Sequence, residues 1–428
     1  MENLARVETA SPSPGPAAKA EVSALLRGRS TPLLLRGVLE ATSWPAKAWG
    51  GVDGLAVLAE RHGHRRARVR LAPLETSRTL WEGEREAVDA SLAEFCGWLG
   101  AEGPGVGSAG ALGAFSRAKF WGYCGYQHFE ELFGDLPEAN HGAADFDELW
   151  GPGGAPGRAG SAPTLWLGSA GACTPCHQDA YGCNVVAQLG GEKRWLLFPP
   201  SAAAVLGPRR LPYEDASTFT EVDPLRPSTS RPLPACGGLA VTLRPGDALF
   251  VPRHWFHAVE CLSPWSLSVN QWLDLPEDSE ARVHEAVVRC VATPLLQEDE
   301  GEEVNDELED EEEEEEEQLG EPWWVNPGEE LFPQKRNMAF LGAALRAAGS
   351  GGGNVRAALL RAVTHPEVVA AVTRRLVDEL AGASQRCPSS GRSGLSPCAA
   401  RSRSRSSERG EVERCVAELP MEGCSGQK

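Results

Sequence analysis

His177, Asp179 and His257 are the residues of this chain whose types and spacing could do chemistry. Residues at i and i+2 of a strand face the same side. An imidazole at 177 and a carboxylate at 179 can therefore hold one side of a metal ion. A second imidazole from a distant strand would complete three ligands and leave coordination positions open. Two histidines and one carboxylate with open positions form the arrangement preferred by non-haem Fe(II) oxygenases. A bare His-x-Asp is weak evidence, because a hydrogen-bonded core histidine and a turn aspartate would read the same. Here it is joined by Phe250-Val-Pro-Arg-His-Trp-Phe-His257 on another β-type run and by Lys193 downstream.

His254 competes with His257 for the third position. The two are three apart, so on a strand they face opposite ways. His254 follows Pro252-Arg253 and reads as a surface or supporting residue, whereas His257 precedes Ala258-Val259 inside the strand and is preferred. Cys173-Thr-Pro-Cys176-His177 matches the pattern for covalent haem attachment, and its thiols could join a zinc site. No second cysteine pair follows at zinc spacing, and the N-terminal residues lack the apolar stretch of an export signal. Both readings are set aside, and the two cysteines are expected to pack beside the site.

Lys193, in Gly190-Gly-Glu-Lys-Arg-Trp195, is either a solvated lysine or the cation that holds the remote carboxylate of an acidic cosubstrate. Thr174 could add a hydroxyl. Asn184 and Asn270 are amides within apolar runs. Buried amides need partners, so each is satisfied in the core or faces the pocket.

The elements that would position these groups are short. Thr164–Leu167, Asn184–Leu189, Arg194–Phe198, Ala240–Leu243, Ala248–Val251, Phe256–Cys261 and Trp265–Leu273 read as strands, with Arg244-Pro-Gly-Asp247 as a turn. Many short strands with little helix between them predict a sandwich or barrel. Ahead of them, Thr31–Gly37 and Arg66–Leu71 read as strands, Val52–His62 and Ser91–Leu99 as helices, and Lys119–Leu132 as an aromatic segment of mixed period. Asp278–Leu295 reads as a helix with Ala281, His284, Val287 and Val288 on one face. Val355–Leu380 reads as a helix pair broken at His365-Pro366.

Of 428 residues, 42% are hydrophobic, as in a globular protein. The net charge of −19 is local, because 16 acidic residues and no basic one lie between Glu298 and Glu317, and the rest of the chain carries only −3. Such a run reads as a solvated linker. No basic stripe suggests nucleic-acid binding, and no apolar run of about 18 residues suggests a membrane span. The 12 cysteines are scattered, which predicts free thiols and a reducing intracellular compartment; the cytoplasm is expected, and the Arg/Ser-rich tail adds the nucleus as a second location. Residues 1–20 are expected to be disordered, 21–295 to form the chemical domain with its β core over 163–275, 296–320 to be the acidic linker, 321–382 helical, and 383–428 a disordered Ser/Arg-rich tail.

These residues resemble a JmjC-domain 2-oxoglutarate oxygenase, and its single-domain protein-hydroxylase branch more than the large histone demethylases. The likeness is carried by Pro175 to Pro200 and Asp247 to Trp272. It is supported by Pro32–Gly37 with Trp44-Pro-Ala46, Lys119–Tyr123, Thr164–Ser169 and Trp324-Val-Asn-Pro327. It implies a mainly β fold, the double-stranded β-helix of the jelly-roll and cupin-like class, with N-terminal α/β elements and C-terminal helices. It also implies Fe(II) on His177, Asp179 and His257, with 2-oxoglutarate on the iron and its far carboxylate on Lys193 and Thr174. Asn184 and Asn270 match positions that line the cosubstrate pocket, and a pocket tyrosine is implied, Tyr123 or Tyr126. The Asp179-to-Asn184 stretch is one residue longer than the family pattern, which a bulge could absorb. The function implied is hydroxylation of a protein substrate, with a small heat-shock protein as partner and a role in stress response. The rival is a catalytically silent adaptor that binds such a partner.

Overall fold

The computed structural model describes residues 4–44, 50–51, 53–100, 110–128, 132, 144–159, 163–210, 213–227, 236–296, 334–349 and 354–385. Strands dominate, drawn from runs rich in Val, Leu, Trp and Phe that suit a pleated, buried surface. β1 (Ala5–Arg6), β2 (Glu8–Ala10) and β3 (Leu33–Leu35) precede β4 (Arg66–Pro73), β5 (Glu86–Ser91) and β6 (Phe120–His128). β7 (Arg158–Ala159) and β8 (Thr164–Ser169) lead to β9 (Cys173–Asp179), β10 (Cys183–Gly190), β11 (Lys193–Phe198), β12 (Pro208–Arg209) and β13 (Ser217–Thr220). β14 (Leu239–Leu243), β15 (Ala248–Val251), β16 (Phe256–Cys261) and β17 (Trp265–Asp274) complete the set.

Among the described residues these strands form two sheets. One runs β1-β14-β11-β16-β9-β13-β12 and the other β2-β3-β15-β10-β17-β8-β6-β4-β5, with β7 on β17. From β8 onward the chain weaves between them, so that β8, β10, β15 and β17 fall in one sheet and β9, β11, β14 and β16 in the other. This is the double-stranded β-helix of the jelly-roll class. All eight residues of β10 are buried, as a strand covered on both faces must be. The outer side of the larger sheet packs Leu165, Val185 and Val269 against helical residues Val22, Leu58, Phe95 and Trp98.

The N-terminal residues differ from the expected disorder. β1 adds parallel to β14, β2 adds parallel to β3, Val7 is buried, and a helix spans Ala18–Leu26. An edge strand recruits a segment through its unpaired backbone groups, and an Ala/Pro/Ser-rich composition carries no sign of that.

Helix Ser279–Leu296 forms near its expected place, and of its expected face Ala281 is buried and Val287 packs on the core, but the inward stripe is carried further by charged residues. His284 is exposed, whereas Glu285 and Arg289 are buried beside Ala281, Ala286 and Cys290. Arg289 donates from Nε to Asp215 at 2.5 Å and from Nη2 to the same carboxylate. Glu285 accepts from Arg210 and from the Ala216 backbone N–H at 2.8 Å. Buried charges are tolerated when paired, and here they hide the inward stripe from a search for apolar periodicity.

Helix Gln334–Ala347 packs Leu341 and Ala344 on Ala286 and Cys290, and so belongs to the first of two compact units, residues 1–359. The expected helical region over 321–382 is thus divided between units. The second unit begins at Leu360. Its described part holds the end of helix Val355–Val363 and helix Pro366–Gln385, broken at His365-Pro366. The acidic run, Trp324–Pro327 and the Ser/Arg tail from 386 onward lie outside the described residues. No described helix is long and apolar enough to cross a membrane.

Candidate functional site

β9 and β16 are antiparallel neighbours that set His177 directly opposite His257. Directly opposed side chains share a face, and the two ring centroids are 4.2 Å apart. Asp179, two residues along β9, returns to that face, with Oδ1 at 3.5 Å from His177 Nε2. One ligand atom from each of the three lies within 4.8 Å of the others, the one such cluster among the described residues.

Each ligand is held from behind. His177 Nδ1 donates to the Pro175 carbonyl at 2.9 Å and His257 Nδ1 to the Trp255 carbonyl at 3.0 Å. A carbonyl only accepts, so the proton sits on Nδ1 and leaves Nε2 free for a metal. The Trp272 indole N–H donates to Asp179 Oδ2 at 3.0 Å, which leaves Oδ1 for the metal side. His257 also stacks on Trp195 at 5.7 Å.

Two β-bulges decide what else reaches the cavity. Between the pairs His257–His177 and Val259–Thr174, β16 advances two residues and β9 three. The extra residue reverses the alternation, so Thr174 joins His177 on the cavity side despite a spacing of three. Pro175, which has no N–H to contribute to a ladder, sits within this bulge. The same happens in β6, where Cys124 opposes Leu167 and Gln127 opposes Leu165. Tyr126 takes a φ of 55° there, and both Tyr123 and Tyr126 line the cavity. The stretch after Asp179, by contrast, is the turn Ala180–Gly182 between β9 and β10, with Gly182 at φ 74°, and not a bulge.

The cavity lies between the sheets and brings together Thr174, His177, Asp179, Asn184, Lys193, His257 and Asn270. Lys193 is not a surface residue: its Nζ is buried, donating to Ser268 Oγ at 2.7 Å and to the Tyr123 hydroxyl at 3.3 Å. Tyr123 is in turn hydrogen-bonded to Thr174. Asn270 donates to Asn184 Oδ1 at 3.0 Å and accepts from the Trp166 indole at 2.6 Å, so both amides are satisfied while facing the pocket. Ser268 and Trp272 escaped the sequence reading. Both lie two residues from Asn270 on β17 and share its face, a signal that becomes readable only once that face is known to be the pocket.

The electrostatics divide the site. Burial opposes charge on His177, but the hydrogen bond and charge of Asp179 outweigh it and hold its pKa above the ordinary imidazole value. Burial and the charge of His177 push His257 down to about 4. Burial would raise Asp179, yet His257 and His177 hold it below the usual carboxylate value. At neutral pH His257 therefore offers a free lone pair beside a carboxylate. At the other end burial pushes Lys193 down to about 8, and among the described residues no carboxylate pairs with it. Burial also raises the Cys173 thiol to about 11 and Cys176 to about 12, so neither is a thiolate suited to zinc.

With this geometry in place, residues 19–279 match the family model of the cupin-like domain. The chain belongs to that family, in its JmjC-type form. It is 41% identical over 254 residues to HSPB1-associated protein 1 homolog of Danio rerio, covering 58% of this chain and 54% of that protein. It is 40% identical over 255 residues to HSPB1-associated protein 1 of Homo sapiens, covering 59% and 50%. The chain thus spans about half the length of these relatives. A more distant relative is the human bifunctional peptidase and (3S)-lysyl hydroxylase JMJD7, 31% identical over 147 residues, 28% of this chain and 44% of that protein. In all three the aligned residues are a part of a longer protein.

Proposed function

We propose that this cupin-like domain is an Fe(II)- and 2-oxoglutarate-dependent oxygenase that hydroxylates a protein side chain and works in association with a small heat-shock protein. One observation carries the reading: the same cavity holds two imidazoles and a carboxylate at one end and, at the other, a buried ammonium without a counter-charge among the described residues. The donor set of two nitrogens and one oxygen suits Fe(II) with positions left open. A buried lysine without an acidic partner suits a dianionic cosubstrate, since an unpaired buried charge is costly. Trp195, which lines the cavity, also keeps its indole N–H buried without an acceptor among the described residues.

Bound there, the iron would supply activation of O2 coupled to oxidation of 2-oxoglutarate. The chain's own part is positional. His177 and His257 present Nε2, and Asp179 presents Oδ1 while Trp272 holds its other oxygen. Lys193, with Tyr123 and Thr174, takes the far carboxylate of the cosubstrate by charge-assisted hydrogen bonds. Asn184 and Asn270 line its path, and Trp166, Trp272 and Tyr126 add an aromatic wall to the cavity. The relatives' names support substrate and partner: one records lysyl hydroxylation and the others association with HSPB1.

The experiment is succinate formation by the purified, iron-loaded chain given 2-oxoglutarate and a small heat-shock protein or its peptides. Turnover that needs iron and disappears in His177→Ala is the expected result. Absence of iron-dependent succinate from well-folded wild-type protein would sink the enzymatic reading. The adaptor reading has its own support, since the names of the two HSPB1-associated relatives record an association and no reaction. It predicts that a His177→Ala, Asp179→Ala, His257→Ala triple variant still retains the small heat-shock protein in a pull-down.

A further inference from the structure

We infer that His254 is a positioning residue for the metal ligands, fastening the segment that delivers His257 to the turn that follows Asp179. The inference rests on the metal-site reading above and adds to it a residue outside the ligand set.

His254 stands in the short turn between β15 and β16, three residues before His257. Its φ is 63°, in the left-handed region that a side chain with a Cβ seldom occupies and a glycine enters freely. A non-glycine residue persists there when its surroundings hold it. Two hydrogen bonds do so. The His254 ring donates from Nε2 to the Ala180 carbonyl at 3.0 Å, and the His254 carbonyl accepts from Gln178 Nε2 at 2.5 Å. Both partners flank Asp179 in the chain. Gln178 lies between the ligands His177 and Asp179, and its side chain points to the face of β9 opposite theirs.

The location of these bonds gives them their meaning. The backbone ladder between β9 and β16 pairs Glu260 with Cys173 and Val259 with Thr174, and ends at His257 with His177. Beyond that pair, Gln178 and Asp179 are laddered on their other edge, to Thr218 and Ser217 of β13. The tie from Asp179's segment back to His257's segment is then made by His254, through one side-chain donor and one main-chain acceptor. On its far side the turn is anchored by the Trp255 indole, which donates to the Ser30 carbonyl at 3.0 Å. With both sides fixed, His254 sets the separation between the carboxylate and the second imidazole. A glycine would relax the backbone and lose the ring bond.

The test uses the full chain, stripped of metal, titrated with Co(II) and followed by its visible absorption, with a thermal midpoint for each variant. His257→Ala, a ligand variant, should lose the Co(II) spectrum. His254→Gly should keep or raise the thermal midpoint but bind Co(II) about 10- to 100-fold more weakly, the range for residues that orient metal ligands. His254→Gln, whose amide nitrogen reaches about as far as Nε2, should recover most of that loss. Wild-type Co(II) affinity and spectrum in His254→Gly, with His257→Ala inactive in binding, overturns the positioning role and leaves the metal site standing. Unchanged binding in His257→Ala overturns the site and the inference together. Should His254→Gly not fold, Gln178→Leu cuts the other bond without touching the turn, and wild-type affinity there overturns the proposal equally.

Discussion

At the candidate metal end of the cavity, the atoms of His177, Asp179 and His257 that point away from the centre already have partners: two main-chain carbonyls and an indole. At the far end Lys193 is just as deeply buried, yet among the described residues only hydroxyls accept from it. The first end is aligned before anything binds, so a metal has to displace the proton that Asp179 favours on His177 Nε2, and little else has to be reordered. The second end leaves a charge unanswered. That costs stability in the free protein and favours whichever small anion can supply the missing carboxylate.

The sharpest way to break this contrast is to remove a ligand. His177→Ala should bring iron-dependent succinate formation down to background, because two remaining donors cannot hold the ion in the geometry that the indole and carbonyls enforce. Metal content by mass spectrometry and succinate by chromatography read the outcome. Retained turnover would place the metal somewhere other than this cluster.

Lys193→Met tests the other end. Loss of a charge-assisted contact should weaken 2-oxoglutarate binding about 100-fold, measured by titration with metal present. Thermal stability of the ligand-free protein should move the opposite way. A folded pKa of about 8 against about 10.4 when unfolded means that at pH 7 the lysine destabilises the fold by about 3 kcal/mol. This penalty is complete below pH 8 and fades as pH rises toward the unfolded value. Methionine should recover on the order of 1–2 kcal/mol of it, since Ser268 loses its donor. A destabilised Lys193→Met would mean that the charge has a partner in the free protein.

The contrast also separates what could be read in the sequence from what could not. Period-two spacing places His177 beside Asp179, and Pro252 and the apolar residues after His257 mark a strand start; these are local signals. Thr174 and Tyr126 defeat the same rule, because each reaches the cavity through an extra residue in its strand and a bulge leaves little composition of its own. Tyr123 and Tyr126 could not be told apart for this reason, and both face the pocket. The fold class was readable from the succession of short strands between 164 and 274, whereas β1 and β2 were not, since they are recruited by sheet edges. The burial of Glu285 and Arg289 left no sign in the sequence, because a paired charge can be buried and a periodicity count assumes that it is not.

Trp272→Phe sharpens the metal end. It keeps an aromatic ring where Trp272 packs at 6.4 Å on Trp166, and it removes the N–H that holds Asp179 Oδ2 together with the pyrrole half of the indole. A residue that orients a ligand changes metal affinity by about 10- to 100-fold, and the lower end is expected because Asp179 keeps its backbone place on β9. Co(II) titration measures this. Unchanged affinity would show that packing alone orients the carboxylate and that the metal end is less finished than the hydrogen bonds suggest.

The smallest effect is the pH dependence of cosubstrate binding at saturating metal. Lys193 titrates near 8, and only its charged form attracts a carboxylate. As pH rises through 8 the ammonium loses its proton and the affinity for 2-oxoglutarate falls, by about fourfold between pH 7 and 8.5 if the protonated fraction alone decides it. Lys193→Met should bind weakly and flatly over the same range, which separates this titration from that of the cosubstrate or of the metal ligands. A wild-type profile as flat as the variant's would mean that the ammonium stays charged well above pH 8, and that burial is answered by some acceptor beyond Ser268 and Tyr123. The two ends of the cavity would then be finished alike.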